Sequence, residues 1–240
     1  MKKSLTLEKQ VLSPEENHTP YSINGTVLLS AVLFAFTIVH ILIAIVLSFL
    51  NADLYITYTA EDGYIEYMTA AFLLATSVLC FNRASAVTGK LPKVFFYATA
   101  TLFFLGFGEE ISWGQRIIGF ATPEDLRAIN FQEEFTFHNI RKDGIDVNKL
   151  LFGKVLYTCV FIYYLGFNML YRHVNRFRNL VETFMFPVPT ATQSVIYFLA
   201  FSSVWIIREG EKWEMQEFVL SSILFITFLF PANKRSEIKR

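Results

Sequence analysis

The chain has 240 residues, of which 53% are hydrophobic and 17% aromatic. Its mean hydropathy of +0.40 excludes an ordinary soluble domain and points to a polytopic membrane protein. The 21 basic and 21 acidic residues balance, so no nucleic-acid partner is expected; Cys80 and Cys159 both sit in apolar runs, against a disulfide framework or zinc knuckle.

Residues 1–26 are polar and mixed in charge. They are expected to form a cytoplasmic tail without a cleavable signal, because the apolar run that follows is too long for a signal h-region. A helix needs about 20 mostly apolar residues to cross the hydrocarbon layer. Six stretches meet that need: 27–50; 67–81, if begun near Gly63; 94–112; 151–171; 191–207; and 218–230, if begun near Trp213. The expected fold is therefore all-α. A membrane domain of six transmembrane helices covers 27–231, with an interfacial segment at 113–149 between the third and fourth, and a basic tail at 232–240.

Loop charge sets the orientation. Arg83, Lys90 and Lys93 follow the second span, and Arg172, Arg176 and Arg178 follow the fourth. Lys234, Arg235, Lys239 and Arg240 close the chain, and Lys2, Lys3 and Lys9 open it. Parity puts all of these on one side, assigned to the cytoplasm, with both termini there. Residues 51–66 carry no Lys or Arg and are assigned to the outer side.

That topology gathers the unusual polar residues at the outer ends of the spans. Glu61, Asp62 and Glu66 open the second. Glu109 and Glu110 close the third, followed by Ser112, Trp113, Gln115 and Arg116. Glu133, Glu134, His138 and Asn139 lie in the outer segment, and Glu211, Glu214 and Glu217 open the sixth. Glu109 stands about 24 Å along the helix from Lys93 at 1.5 Å per residue, just under the outer surface of a core about 30 Å thick. Carboxylates at that depth need a cation, a proton or a hydrogen-bonding partner.

If the third helix continues, Glu109, Ser112, Trp113 and Arg116 share a face. Glu134 and His138, at i and i+4, would share another and, with Glu109, offer ligands for a divalent metal. Glu109, Glu110, Glu134, His138 and Arg116 are the candidate catalytic set. Glu61, Asp62, Glu66, Ser112, Trp113, Gln115, Asn139 and Glu214 would bind substrate around it. A purely structural alternative has Arg116 and Lys154 neutralising the acids and locking helices together, with Asn139 as a cap. His40, alone in the middle of the first span, is expected to be an interhelical hydrogen-bond partner. Thr122 and Pro123 read as the N-cap and first residue of a helix over 123–129, lying at the outer interface and able to cover the acids.

Taken together, Glu61-Asp62-Gly63, the block Gly108-Glu109-Glu110-Ile111-Ser112-Trp113-Gly114-Gln115-Arg116, Thr122-Pro123-Glu124, and the run from Asn130 and Gln132 to Glu134, His138 and Asn139 resemble a family of uncharacterised bacterial polytopic membrane proteins. That family carries EDG, GEEISWGQR and N-x-Q-G-E-x-x-x-H-N motifs in this order. The resemblance covers roughly residues 55–150; Glu133 stands where the family has glycine. It implies a bacterial inner-membrane location and a shared site, and no particular reaction. Glutamate-type intramembrane proteases of the CAAX-processing class pair Glu-Glu-x-x-x-Arg with later histidines. Here Arg116 follows Glu110 by six residues, which departs from that spacing.

Three functions fit the residues. The first is a metal-dependent membrane hydrolase or transferase acting on a lipid or lipid-linked substrate. The second is a non-enzymatic subunit or assembly factor docking another membrane protein. The third is an ion or proton pathway, which the crowding of acids on one side disfavours.

Overall fold

The computed structural model describes residues 23–130, 133–137, 140–142, 145–146, 153–208 and 212–233. Helices dominate. In chain order they are α1 (Ile23–Leu50), α2 (Ala52–Tyr58), α3 (Tyr64–Ala86), α4 (Lys90–Glu110), α5 (Gln115–Ile118), α6 (Glu124–Arg127), α7 (Tyr157–His173), α8 (Asn175–Phe184), α9 (Ala191–Ser203) and α10 (Lys212–Leu229). The all-helical expectation needs one small amendment. Arg141–Lys142 and Ile145–Asp146 pair as a two-residue antiparallel ladder.

Among the described residues three helices are long and apolar enough to cross a membrane: Gly25–Leu50, Tyr64–Ala86 and Lys90–Glu110. Ala191–Ile206 is a shorter apolar helix. Helix α3 begins one residue after Gly63, and α10 begins at Lys212, close to Trp213, so both take in the polar residues that the apolar runs needed to reach full length.

The centre of the bundle is α10. Ten of its 18 residues are buried. Its Met215, Phe218, Val219, Leu220 and Ile223 share a core with Ile41 and Ala44 of α1, Ile65 of α3, Tyr163 and Tyr164 of α7, and Tyr197 and Ala200 of α9. The ring of Phe218 is surrounded by Phe36, His40 and Phe72, with centroids 6.3, 5.6 and 6.1 Å away. Helix α4 packs on α3 at the edge, where Ser77 Oγ donates to the Ala100 carbonyl at 2.8 Å. Most of the remaining α4 surface is exposed apolar side chain such as Val94, Leu102 and Leu105.

Two elements were not evident in the sequence. Helix α2, capped by the Asn51 side chain, doubles back along α1, so that Tyr58 reaches His40 of α1 with 2.5 Å between its hydroxyl and Nδ1. The Tyr64 hydroxyl lies 3.5 Å from Nε2 of the same ring. His40 is thus the interhelical partner it was expected to be. Burial, with the neighbouring Tyr64 phenol, pushes the Tyr58 hydroxyl up from its ordinary pKa. It stays neutral and can donate to the imidazole. Helix α8 is amphipathic: Phe177 stacks edge-on against Phe167 of α7 at 5.1 Å and Val181 is buried, while Arg176 and Asn179 face outward.

Because Phe218 fills the space between α1, α3 and α10, Phe218→Ala is expected to cost about 3 kcal/mol. It should lower the thermal midpoint in detergent by several degrees. Leu102→Ala, on the exposed flank of α4 (67% accessible), should leave the midpoint unchanged.

Candidate functional site

The site lies at the end of the bundle where α3 begins and α4 finishes. Glu110 is ten residues, about 15 Å, beyond Ala100, and Glu66 is eleven residues, about 16 Å, beyond Ser77. Since Ser77 and Ala100 are hydrogen-bonded, these two acids stand at the same height.

Helix α4 does not continue to Arg116. It stops at Glu110, and Ser112, Trp113 and Gly114 follow with φ of 46°, 52° and 75°. For Ser and Trp a left-handed backbone costs about 1–2 kcal/mol each. The expected common helical face of Glu109, Ser112, Trp113 and Arg116 is therefore replaced by a tight turn that folds the chain back on itself. Gly108 makes the return possible. A Cβ there would sit 2.9 Å from the Trp113 ring, so only glycine lets the indole lie against the last turn of α4.

The turn brings the polar side chains of the block, Glu110 excepted, to partners. The Trp113 indole donates from Nε1 to Glu109 Oε1 at 2.7 Å, and the Phe137 amide donates to Oε2 at 2.7 Å. Ser112 Oγ donates to Glu134 Oε2 at 2.9 Å. Gln115 donates from Nε2 to Thr122 Oγ1 and accepts from the Phe135 amide, each at 2.7 Å. Arg116 ion-pairs with both Glu134 and Asp62, tying the returning segment to the start of α3. The Asp62 amide in turn donates to the Glu66 carboxylate.

These contacts correct further expectations. Arg116 neutralises Asp62 and Glu134, not Glu109 or Glu110. Thr122 is no N-cap. Its hydroxyl donates to the Glu133 carbonyl at 2.7 Å, and α6 starts at Glu124, capped by Pro123 without a side-chain bond, and ends at Arg127. Residues 133–137 are irregular, so the helix assumed beneath Glu134 does not form there. His138, Asn139 and Glu211 lie outside the described residues. Glu109 and Glu134 each spend their oxygens on donors of the chain. No group of three His, Cys, Asp or Glu converges on a metal-holding point among the described residues.

Glu110 is different. Among the described residues it makes neither a hydrogen bond nor an ion pair, and it is half-buried. It lies in the negative field of Glu217, Glu214, Glu66 and Glu109. The Tyr157 phenol of α7 lies near Glu217, Glu110 and Glu214, and its buried hydroxyl has no hydrogen-bond partner among the described residues. A buried hydroxyl left unsatisfied is rare and calls for a ligand or water. Tyr157 was missed by sequence reasoning. Glu217 carried a signal: it lies three residues after Glu214, on the same face of α10. Tyr157 carried a weaker one, as a polar residue near the start of an apolar run.

Strain marks the same place. Of the five non-glycine residues with positive φ among the described residues, four are here: Asp62, Ser112, Trp113 and Glu133, with Met185 the exception. Comparison of the chain with family models, curated proteins and solved structures finds no match in any of the three.

If Gly108 is what seats the Trp113 indole, Gly108→Ala should displace it. In a background with Trp205 and Trp213 replaced by Phe, the emission maximum should shift and proteolysis within 115–137 should accelerate several-fold. Gly106→Ala is the control, since its Cβ would meet only Leu73 at 3.5 Å; it should change neither.

Proposed function

We propose that the chain is a six-span bacterial inner-membrane protein with both termini in the cytoplasm, and that the site faces outward. There it works as a membrane enzyme, a hydrolase or transferase using general acid–base chemistry on a lipid or lipid-linked substrate. Glu110 is the proton-transferring carboxylate, with Glu66, Glu214 and Glu217 around it and Tyr157 as a positioning donor. The observation that carries this reading is the division within the 108–116 block. Its other polar side chains have partners within the chain, whereas among the described residues Glu110 has none and stands near further acids and the unsatisfied Tyr157 phenol. Buried polar groups without partners, set beside strained backbone, are what a site keeps ready for a substrate.

A second reading is a non-enzymatic subunit or assembly factor. It is favoured by the same bonds seen from the other side: Glu109, Ser112, Trp113, Gln115, Arg116 and Glu134 all serve to shape a rigid outer surface. The resemblance to the EDG/GEEISWGQR membrane proteins is compatible with either. Glu109 and Glu134, with His138, remain the ligands a divalent metal would use.

Glu110→Gln, which keeps shape and removes the acid, should abolish complementation of a deletion strain while leaving expression and thermal midpoint intact. Glu109→Gln should weaken function only together with faster proteolysis of 115–137. Full complementation by Glu110→Gln would sink the enzyme reading. A stoichiometric copurifying membrane protein would favour the subunit. Metal analysis of the purified chain, with and without His138→Ala, tests the metal ligands.

The orientation has its own check. A cysteine replacing Ile145 should react with an impermeant thiol reagent on intact cells, and one replacing Thr88 should not. The reverse pattern would turn the site to the cytoplasm.

A further inference from the structure

The segment that leaves α4 has a polar underside and an apolar crest. Its underside is the set of bonds from Ser112, Gln115 and Arg116 already described. Its crest consists of Ile117, Ile118, Phe120 and Phe137, which are 72, 75, 37 and 56% accessible. The chain order joins the first three. The ring of Phe135 links Phe120 (5.5 Å) to Phe137 (6.3 Å), so the four form one continuous patch. Gly119, at φ 81°, ends α5 and separates the two isoleucines from Phe120. Among the described residues these side chains stay exposed, and four large hydrophobics so placed are costly in water.

Their height identifies what covers them. Helix α4 has 21 residues and rises about 31 Å, the thickness of a hydrocarbon core. Residues 111–120 therefore leave it at the level of the lipid headgroups. Exposed aromatics with a polar edge ring the same end of the bundle: Tyr64 and Tyr67 on α3, Trp205 beyond α9, and Trp213 on α10. Such aromatics collect at the membrane–water boundary.

We propose that the crest of Ile117, Ile118, Phe120 and Phe137 is a lipid-inserted anchor, seated in the acyl-chain region of the adjacent leaflet. It pins the rigid segment down over the acids of α3, α4 and α10. Glu110 is then approached sideways from the bilayer, by a substrate whose polar head leaves the headgroup layer while its chains stay among the lipids. The anchor rests on the reading that these helices span a membrane. It does not require that Glu110 be catalytic.

The full chain, with Cys80 and Cys159 replaced by alanine, is labelled with an environment-sensitive fluorophore at a single cysteine in place of Ile118, Phe137, Leu102 or Asp125. It is reconstituted into phosphatidylcholine vesicles. The labels at 118 and 137 should lose most of their emission to a spin label carried near the top of the acyl chain and little to aqueous iodide. The label at 102, on the exposed flank of α4, should be quenched by a spin label deep in the chain. The label at 125, on an exposed acidic residue of α6, should be quenched by iodide alone. Iodide quenching at 118 and 137 with lipid quenching at 102 would overturn the anchor and leave the spans standing. Protection of 118 from both quenchers, with disulfide cross-linking between copies, would also overturn it, because a second chain would then cover the crest. Loss of lipid quenching at 102 would remove the membrane reading itself and the anchor with it.

Discussion

The arrangement of this site depends on the left-handed turn at Ser112, Trp113 and Gly114. A straight helix would have carried the chain up and away from α3, and Asp62, Glu134 and Arg116 could not have met. Two non-glycine residues in that conformation cost about 2–4 kcal/mol together. The indole bond to Glu109, the Ser112 bond to Glu134 and the two ion pairs of Arg116 are each worth about 0.5–3 kcal/mol, so they can hold the turn once the whole set has formed. They form as a set because each needs the others: Glu134 is placed by Ser112 and Arg116, and Phe137, which donates to Glu109, is placed by the same loop. A turn of this kind is either fully closed or lost, which fixes the path of residues 112–116 against the start of α3.

The turn also separates the roles of two neighbouring acids. Consecutive residues on a helix point about 100° apart. With Glu109 claimed by Trp113 and the Phe137 amide, Glu110 is left pointing toward α3 and α10. Sequence periodicity favoured Glu109 as the functional member of the pair, because it was the one that would share a face with Ser112 and Arg116. The geometry moves the weight to Glu110. The polar neighbours that made Glu109 look like part of a site are the ones that give it a structural task. Carboxylates gathered in a low-dielectric layer are held by protons, cations or donors, and around Glu110 the described donor is one phenol.

Much of the architecture was legible from composition. The apolar runs were long enough to name the helices, and the places where α3 and α10 had to begin followed from the length needed to cross a membrane. His40 was legible because a lone imidazole in an apolar helix needs a partner. The turn was not legible. Serine and tryptophan carry no preference for positive φ, and the one glycine in place, Gly114, fits a helix end as well as a fold-back. The demand for glycine at 108 arises from a ring five residues later, a contact that no local pattern announces. Thr122-Pro123 looked like a helix start because those residues usually are one. Here Gln115 and Glu133 take the threonine hydroxyl first. Helix α2 was hidden because seven residues between two spans read as a loop until Tyr58 finds His40.

The central position of α10 explains how its acids are held in place. Glu214 and Glu217 occupy one face of a helix whose other faces are locked by Met215, Phe218 and Val219 against the neighbouring helices. Glu66 is fixed at the first turn of α3 by the Asp62 amide, and Asp62 is fixed by Arg116. Each acid is thus positioned by packing or by a bond within the chain. Placing like charges together opposes folding, and the bundle sustains it because the restraint comes from a fully packed helix and not from the acids themselves. That is the order of causes a site requires: rigid elements first, then functional groups held in positions they would not choose alone. The strained backbone at Asp62, Ser112, Trp113 and Glu133 is a further expense of the same construction, at the end of the bundle where Glu110 and Tyr157 stand.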